Sequence, residues 1–588
     1  MIYNAPIKDM MFLVDEWLGI ENLSALPGFE EFDRDILEAI LGEAGKFCST
    51  ELLPINRDGD EHGAVFADGN VTTPPGFKEA YQNLIDNGWT GIDADPDHGG
   101  QGLPKLVNFL IDEMLAATNL AFKLYTELSR GAYHLLATYA SEEIRAKYLS
   151  RMVEGVWSGT MCLTEPQCGT DLGLLTTKAA PNDDGSFDIS GTKIFITSGD
   201  HDLTENILHL VIARIDGAPE GSGGISLFLV PKFHVNDDGS LGDRNHVYTA
   251  SIEHKMGIKG SATCVLNFED ARGYLVGEEN RGLAAMFRMM NIERMTVGIQ
   301  GLGFADIAYQ NALAYAIERL QSRAPAPRPN EGKPADPIIF QPEIKRKLLA
   351  MRSQIEGGRA LAVFAAYHAD IMDNSTDGQQ REEAENTVAL LTPVIKSFLS
   401  DLGVSSAQDA LQVLGGHGYV REHGMEQLVR DSRITQIYEG TNEVQAADLV
   451  LRKLTGKTGQ FADGLFDKWQ QFLDQQKNSG DANEYIEPAA AALARLKEAT
   501  AWIRQTDGAA ARGAACNYQR LLALTTIACL WVQIMASIRG KDGEFYETKR
   551  KTARFYMQQV LPETAALHEI VTRGADALST FSVADFEH

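Results

Sequence analysis

Six cysteines in 588 residues, none of them in a CxxC pair, leave neither a disulfide framework nor a zinc site to hold a fold together. Cys48, Cys162, Cys168, Cys264, Cys516 and Cys529 read instead as reduced thiols of a cytoplasmic protein. Positive charge is also scarce: 53 Lys and Arg stand against 81 Asp and Glu, a net charge of −28. Such a chain repels nucleic-acid phosphates and anionic lipid, so neither is an expected partner. No GxGxxG follows a strand pattern and no GxxxxGK[ST] occurs, which removes Rossmann and P-loop sites. The first residues, MIYNAPIKDMMFLVDEWLG, carry Lys8, Asp9, Asp15 and Glu16 where a signal peptide needs a clean apolar stretch. One uncharged run, Leu521–Ile538, is broken by two Thr, a Gln and a Ser and closed by Arg520 and Arg539. A bilayer span needs about 20 predominantly apolar residues, so this run is expected as a helix buried in a bundle.

What is present is ordinary globular composition, 44% apolar and 23% charged with 54 Gly, in a chain of 64.4 kDa. At roughly 100–200 residues per domain that predicts three or four units. From Phe32 to Trp157 apolar residues recur at helical spacing, as in ILEAILGEAGKFC and LVNFLIDEMLAATNLAFKLYTELSRGAYHLLATYA, around the loop GWTGIDADPDHGGQGLP. From Ser158 to Gly277 the texture is short β-branched and aromatic runs between turn formers: SFDISGTKIFIT, NILHLVIARI, GISLFLVPKF, CVLNFED. Helical spacing returns from Asn280, is broken by the five prolines of APAPRPNEGKPADP, and resumes from Gln341 to Lys453. The Pro-rich segment is expected as an exposed loop within one domain, and LTGKTGQFADG as a boundary before a further helical unit. The predicted organisation is an extension over 1–35, a helical domain over 36–158, a β domain over 159–277, a helical domain over 278–455 and a helical tail over 456–588. Helices, then strands, then helices exclude a doubly wound or barrel α/β architecture.

Two segments concentrate residues able to do chemistry. In LQVLGGHGYVREHGMEQLVRDSRITQIYEGTNEV, Glu439 lies between an apolar run and Gly440, and Thr441 is an expected N-cap. A helix N-terminus beside Glu439 favours the anion, whereas Ile437 and Tyr438 favour the acid. By itself, though, a Glu on a turn is usually a solvated surface group. In WSGTMCLTEPQCGTDLGLLTTKA, Thr164, Glu165, Pro166, Gly169 and Thr170 form a small-residue loop whose hydroxyls and N–H groups can approach a flat polar ring. In GTKIFITSGD, Phe195 and Thr197 fall on one face of a strand. Each of these, alone, is ordinary strand and turn.

In order, LTEPQCGTD, GTKIFITSG, QVLGGHGY and IYEGTNE resemble the acyl-CoA dehydrogenase flavoprotein family, over roughly residues 36–455. The N-terminal extension and the tail resemble its larger bacterial branch. The resemblance implies a mostly α fold with a central β domain: an N-terminal helical domain, a β-barrel-like middle domain, a C-terminal four-helix bundle and an extra helical domain. It implies FAD and oxidation of an acyl-CoA thioester to the trans-2-enoyl-CoA, with electrons passed to electron-transfer flavoprotein. Within the large branch the substrate it implies is 3-(methylthio)propanoyl-CoA, giving 3-(methylthio)acryloyl-CoA in the dimethylsulfoniopropionate demethylation pathway. Glu439 is then the base that takes the Cα proton, with Arg294 and Gly440 at the substrate. Leu163, Thr164 and Thr170 are assigned to the flavin and its phosphates, Phe195 and Thr197 to its ring, and Thr441 and Glu443 to its adenosine half. Arg319, Gln412, Gly415 and Gly416 match positions that reach a flavin in a neighbouring subunit, which implies a homodimer or homotetramer. The tail is expected to pack on the helical core and replace contacts between dimers.

Three departures from the family pattern bear on these assignments. Phe195 stands where many relatives have Trp, keeping the ring and losing the indole donor. Arg319-Leu-Gln-Ser322-Arg323 replaces the usual Arg-x-x-Phe-Gly. Glu293, beside Arg294, occupies the long-helix position at which some relatives carry their base; its alternatives are an ion pair with Arg294 or a wall of the acyl pocket. His417 and His423 read as loop hydrogen-bonding residues with no metal, and Met286, Met289, Met290 and Met295 as core or as a lining suited to a thioether. Arg539, Lys541, Lys549, Arg550 and Lys551 read as a solvated face. The competing functions are a medium- or long-chain acyl-CoA dehydrogenase, an acyl-CoA oxidase and a non-catalytic flavin-binding protein. The last predicts a basic tail, which residues 456–588 lack.

Overall fold

The computed structural model describes residues 1–325, 329, 332–455, 459–477 and 483–587. The chain divides into a helical unit, residues 1–45, 104–117 and 294–588, and a barrel unit, residues 46–103 and 118–293. Its long helices are α1 (Lys105–Tyr139), α2 (Gly282–Glu318), α3 (Pro342–Asn374), α4 (Gly378–Leu414), the short α5 (Asn442–Asp448) and α6 (Gly508–Ser537).

In the barrel unit, β3 (Trp157–Cys162), β4 (Lys178–Pro181), β5 (Phe187–Thr197), β6 (Asn206–Ile215), β7 (Ile225–Pro231), β10 (Val247–Ile252) and β11 (Thr263–Val276) form one sheet. Its pairings β11–β5, β5–β4, β4–β6, β6–β7 and β7–β11 close into a ring, which removes the exposed edges an open sheet would present. β10 extends one rim along β11, and β3 pairs in parallel with β6. β7 is buried along its whole length, which is why ISLFLVP reads as a continuous apolar run with no alternation. Between β7 and β10, β8 (Phe233–Val235) and β9 (Leu241–Arg244) form a separate ribbon. Inside the ring, His209 shares a 2.8 Å hydrogen bond with the Thr160 hydroxyl, and burial pushes its pKa down to about 3.

Two local features of this unit differ from the sequence reading. A hairpin of β1 (Val65–Ala67) and β2 (Asn70–Thr72) interrupts the helical stretch; its turn, Asp68-Gly69, has φ of 50° and 76°, the left-handed pair such a tight turn requires. The apolar run of α1 is also not straight. Asn119 leaves the helical region (φ −160°, ψ 83°) and caps the following turn through Phe122 N–H at 3.0 Å.

In the helical unit, Pro342 occupies the first turn of α3, where its missing N–H costs nothing, and the Asp377 carboxylate caps α4 from Gln379 N–H at 2.9 Å. Residues 326–328, 330 and 331 of the Pro-rich segment lie outside the described residues. Its flanks pair with each other, with Gln321 N–H donating to Asp336 O at 3.0 Å and Asp336 N–H to Ser322 O at 2.8 Å, so the segment leaves and re-enters the same unit. The expected boundary at residue 456 also lies outside the described residues.

Helix α6 carries the long uncharged run, and Leu521, Leu522, Leu524, Ile527, Leu530 and Trp531 are all buried. It lies so close to α3 that a Cβ on Gly357 would stand 2.5 Å from Ile527 Cγ2. The solvated face expected over residues 539–551 is corrected at Lys549. This residue is buried among the Phe12, Trp531 and Phe545 rings and paired with Asp9 and with Glu356 at 2.7 Å. It lies four positions after Phe545 on a short amphipathic helix, whose inner face carries the lysine. Asp9 also pairs with Arg359, which meets Glu113 and, at 3.4 Å, Asp306. The N-terminal extension is thereby fastened to the tail.

Candidate active site

Glu439 stands on a turn between the short helix Arg433–Gln436 and α5, with φ +57°. A left-handed backbone at a residue other than Gly, Asn or Asp is strained by about 1–3 kcal/mol and persists only where its surroundings fix it. Here they do so on both sides. Asp401 Oδ1, on α4, accepts from Gln436 Nε2 at 2.6 Å before the turn and from Asn442 Nδ2 at 2.7 Å after it. Gln445, buried on α5, donates to Glu439 O at 2.8 Å, and Tyr438 donates to Gln300. The Thr441 hydroxyl caps α5 through Val444 N–H at 3.4 Å.

Beneath the turn lies Lys396, a fully buried lysine of α4 that donates to Asn442 Oδ1 at 2.8 Å. Burial lowers its pKa to about 8, against the pull of Glu439, Asp401 and Glu443. Arg294 of α2 is lowered by burial too, against the attraction of Asp448 and Glu439. Two desolvated cations thus act on one half-buried carboxylate, favouring its anion. Arg294 and Gly440, both expected at the substrate, share this surround. Thr441 and Glu443 line a cavity of about 360 Å³ together with α4 and α6.

The barrel unit presents the other group. Leu163 and Thr164 continue β3, and Thr164 O accepts from Ile194 N–H at 2.9 Å. Immediately beyond, the β5–β11 register shifts between Cys264 and Leu266, and Phe195 takes φ +57° with 60% of its surface exposed. A bulge re-aims a side chain, and here it lifts an aromatic ring clear of the strand. Thr197 follows half-buried, and Thr170 is exposed on the loop. The Leu163–Thr164 end is held by a buried ion pair that the sequence reading did not single out. Lys193 donates to Leu163 O at 3.1 Å and to Glu165 Oε1 at 2.8 Å. Glu165 also accepts from Thr176 N–H at 2.7 Å and Thr177 Oγ1 at 2.5 Å. Burial opposes its charge, but Lys193 and these donors hold the carboxyl down to about 2.

Four further candidates of the helical unit stand apart from the cavity. Arg319, Gln412, Gly415 and Gly416 are exposed and do not line it. They gather at one end of the helical unit, where Tyr315 OH and His417 Nδ1 share a 2.9 Å hydrogen bond. His417 and His423 stack at 5.0 Å, and among the described residues no group of His, Cys, Asp and Glu is arranged to hold a metal. Glu293 is buried in the barrel unit, its Oε1 2.4 Å from where a Cβ on Gly131 would stand. Met286 and Met289 belong to that unit's core, together with Leu128, Ala132 and Trp157.

The family description "Acyl-CoA dehydrogenase, N-terminal domain" matches residues 35–156, the middle-domain description 160–271 and the C-terminal-domain description 280–454. A fourth, "Acetyl-CoA dehydrogenase C-terminal like", matches 465–582. The chain belongs to the acyl-CoA dehydrogenase family. It is an oxidoreductase with that family's fold: a helical domain, a closed sheet, a helical bundle and an added helical tail. Among its relatives, the 3-methylmercaptopropionyl-CoA dehydrogenase of Ruegeria pomeroyi is 39% identical over 99% of this chain and 100% of that protein. A butyryl-CoA dehydrogenase of Syntrophomonas wolfei is 33% identical over 96% of each. The solved structure of an acyl-CoA dehydrogenase from Bacillus anthracis, complexed with FAD, superposes with a TM-score of 0.72 at 22% identity. That match covers 95% of this chain and 91% of the other.

Sequence reasoning singled out Glu439, Phe195 and the Thr164 loop as candidates. It missed the residues that hold them: Lys193 and Glu165 as a pair, and Lys396, Asp401, Asn442 and Gln445. One signal was available. In TPVIKSFLS a single charge sits inside an apolar helical run, where an unpaired lysine would not be tolerated.

Proposed function

We propose that this chain is an FAD-dependent dehydrogenase of short acyl-CoA thioesters, with 3-(methylthio)propanoyl-CoA as substrate and Glu439 as base. The observation that carries the proposal is the Glu439 turn, a carboxylate held in a strained backbone conformation near two buried cations, Lys396 and Arg294. The residues present fit the cofactor. Phe195 offers an exposed ring face, Thr164, Thr170 and Thr197 offer hydroxyls, and Thr441 and Glu443 open on a cavity sized for part of such a molecule. Gly415 and Gly416 have open space where a Cβ would stand.

FAD, held by the residues named above, would supply the two-electron oxidant. Glu439 removes the Cα proton, a transfer that requires its carboxylate within about 2.6–3.2 Å of that carbon's hydrogen-bearing position. The Glu439 backbone N–H, by family resemblance, polarises the thioester carbonyl and stabilises the enolate as it develops. Gly440, with φ +83°, continues the turn beside that donor, and the attraction between Arg294 and Glu439 favours the carboxylate anion. Glu293, buried against Gly131, is proposed as a wall of the acyl pocket.

Full-length similarity to the Ruegeria pomeroyi protein supports the thioether substrate, and similarity to the Syntrophomonas wolfei enzyme supports butanoyl-CoA as the second reading. Electron-transfer flavoprotein is the proposed acceptor and the cytoplasm the proposed location. A homodimer or homotetramer is proposed from Tyr419 and Val420, which are 81% and 44% exposed beside Gly415 and Gly416. The test is an anaerobic titration of the yellow protein with 3-(methylthio)propanoyl-CoA, butanoyl-CoA and octanoyl-CoA, following bleaching of the oxidised flavin. Preferential bleaching by the first supports the substrate; bleaching only by octanoyl-CoA removes it; a colourless protein that binds no FAD removes the mechanism.

A further inference from the structure

We propose that the tail helix α6 forms one wall of the pocket for the adenosine end of FAD, so that the added C-terminal domain is part of the cofactor site. The inference rests on the flavin reading above and adds a second region of the chain to it. Thr441 and Glu443 line the cavity of about 360 Å³, and Cys516, Gln519 and Arg520 of α6 line the same cavity. That volume lies at the small end of the range for ligand pockets, about 300–1,000 Å³, enough for a nucleoside and too little for a whole dinucleotide.

Its lining balances two carboxylates, Asp401 and Glu443, with two cations, Arg433 and Arg520. The carboxylates can accept from an exocyclic amino group and from ribose hydroxyls. Phe398 supplies an apolar face. The Arg520 guanidinium lies 5.8 Å from the Phe398 ring and is fixed by a bidentate pair with Glu563 at 2.5 and 2.9 Å. A planar cation so held presents a stacking surface for a base at little further entropic cost. Gln519 is likewise fixed, donating to Pro393 O at 2.8 Å.

Cys516 makes the inference testable. Of the six cysteines it alone is exposed, so a thiol reagent reads this wall of the cavity against a slow background. In apo protein freed of flavin, ADP and FAD are expected to slow modification of Cys516 by 5,5′-dithiobis(2-nitrobenzoate) at least fivefold, and FMN to leave the rate unchanged. Cys516→Trp, which fills the cavity, is expected to raise the Kd for FAD at least tenfold with unchanged circular dichroism. FAD bound stoichiometrically with no protection of Cys516 would overturn the proposal and leave the flavin reading standing. Wild-type protein binding neither FAD nor ADP would remove the flavin reading itself. Should the tryptophan variant fail to fold, protection in the wild type decides.

Discussion

Phe195 and Glu439 carry the same backbone strain, φ +57°, in two regions that hold it by different means. At the barrel rim the ladder resumes on either side of Phe195, so the backbone itself pins the bulge. One ion pair, Lys193–Glu165, then ties the neighbouring strand end. The turn at Glu439 has no ladder. Side chains do the pinning, and they come from α4, some forty residues earlier: Lys396 and Asp401, acting through Asn442 and Gln436. A sheet therefore stores strain locally, whereas a helical turn must borrow its rigidity from distant positions, and charge arrives with the borrowing.

The largest effect expected is on the turn. Glu439→Gln should retain flavin and slow its reduction by about 10²–10⁴-fold in anaerobic stopped flow, with Glu293→Gln within a few-fold of wild type. The reverse pattern would move the base to Glu293. At the rim, Glu165→Leu strands the Lys193 charge and should cost about 3–5 kcal/mol in urea unfolding, and adding Lys193→Met should recover most of it. No recovery would mean the pair is not what fixes the rim.

Lys396→Met tests the borrowed charge. Without that cation the Glu439 carboxylate is less favoured, so the acid limb of kcat/KM should move up by about one pH unit. An unmoved limb with lowered kcat would make Lys396 a purely structural support.

The smallest effect contrasts the units by pH. Burial holds His209 down to about 3 and raises Asp306 to about 7 despite Arg359. Below pH 6.5 only the unfolded state protonates at His209, so its contribution to stability falls as pH drops. Asp306 behaves oppositely: between pH 4 and 7 the folded state holds the extra proton, and stability falls as pH rises. His209→Gln should flatten the first slope and Asp306→Asn the second; equal slopes in both variants and wild type would refute the assignment.

Much of this was legible in the chain. Texture alone located the strand domain, because β-branched runs and turn formers replace helical spacing there. Motif order singled out Glu439, Phe195 and the Thr164 loop as candidates. What escaped was whatever depends on partners distant in sequence. Asn119 and the Asp68-Gly69 turn are single residues inside longer patterns. Lys549 looked solvated because its companions Asp9 and Glu356 lie hundreds of residues away. Clamps such as Asp401 leave no periodicity at all.

The Asp9–Lys549 pair joins residues 540 apart. At roughly 5–20 residues per second of synthesis, the first must wait about 30–110 s for the second to be made. Through that interval the first helices carry buried-type charges, Asp9 among them, with Lys549 not yet made. The early chain is thus provisional, and any truncation before residue 549 leaves Asp9 without this partner.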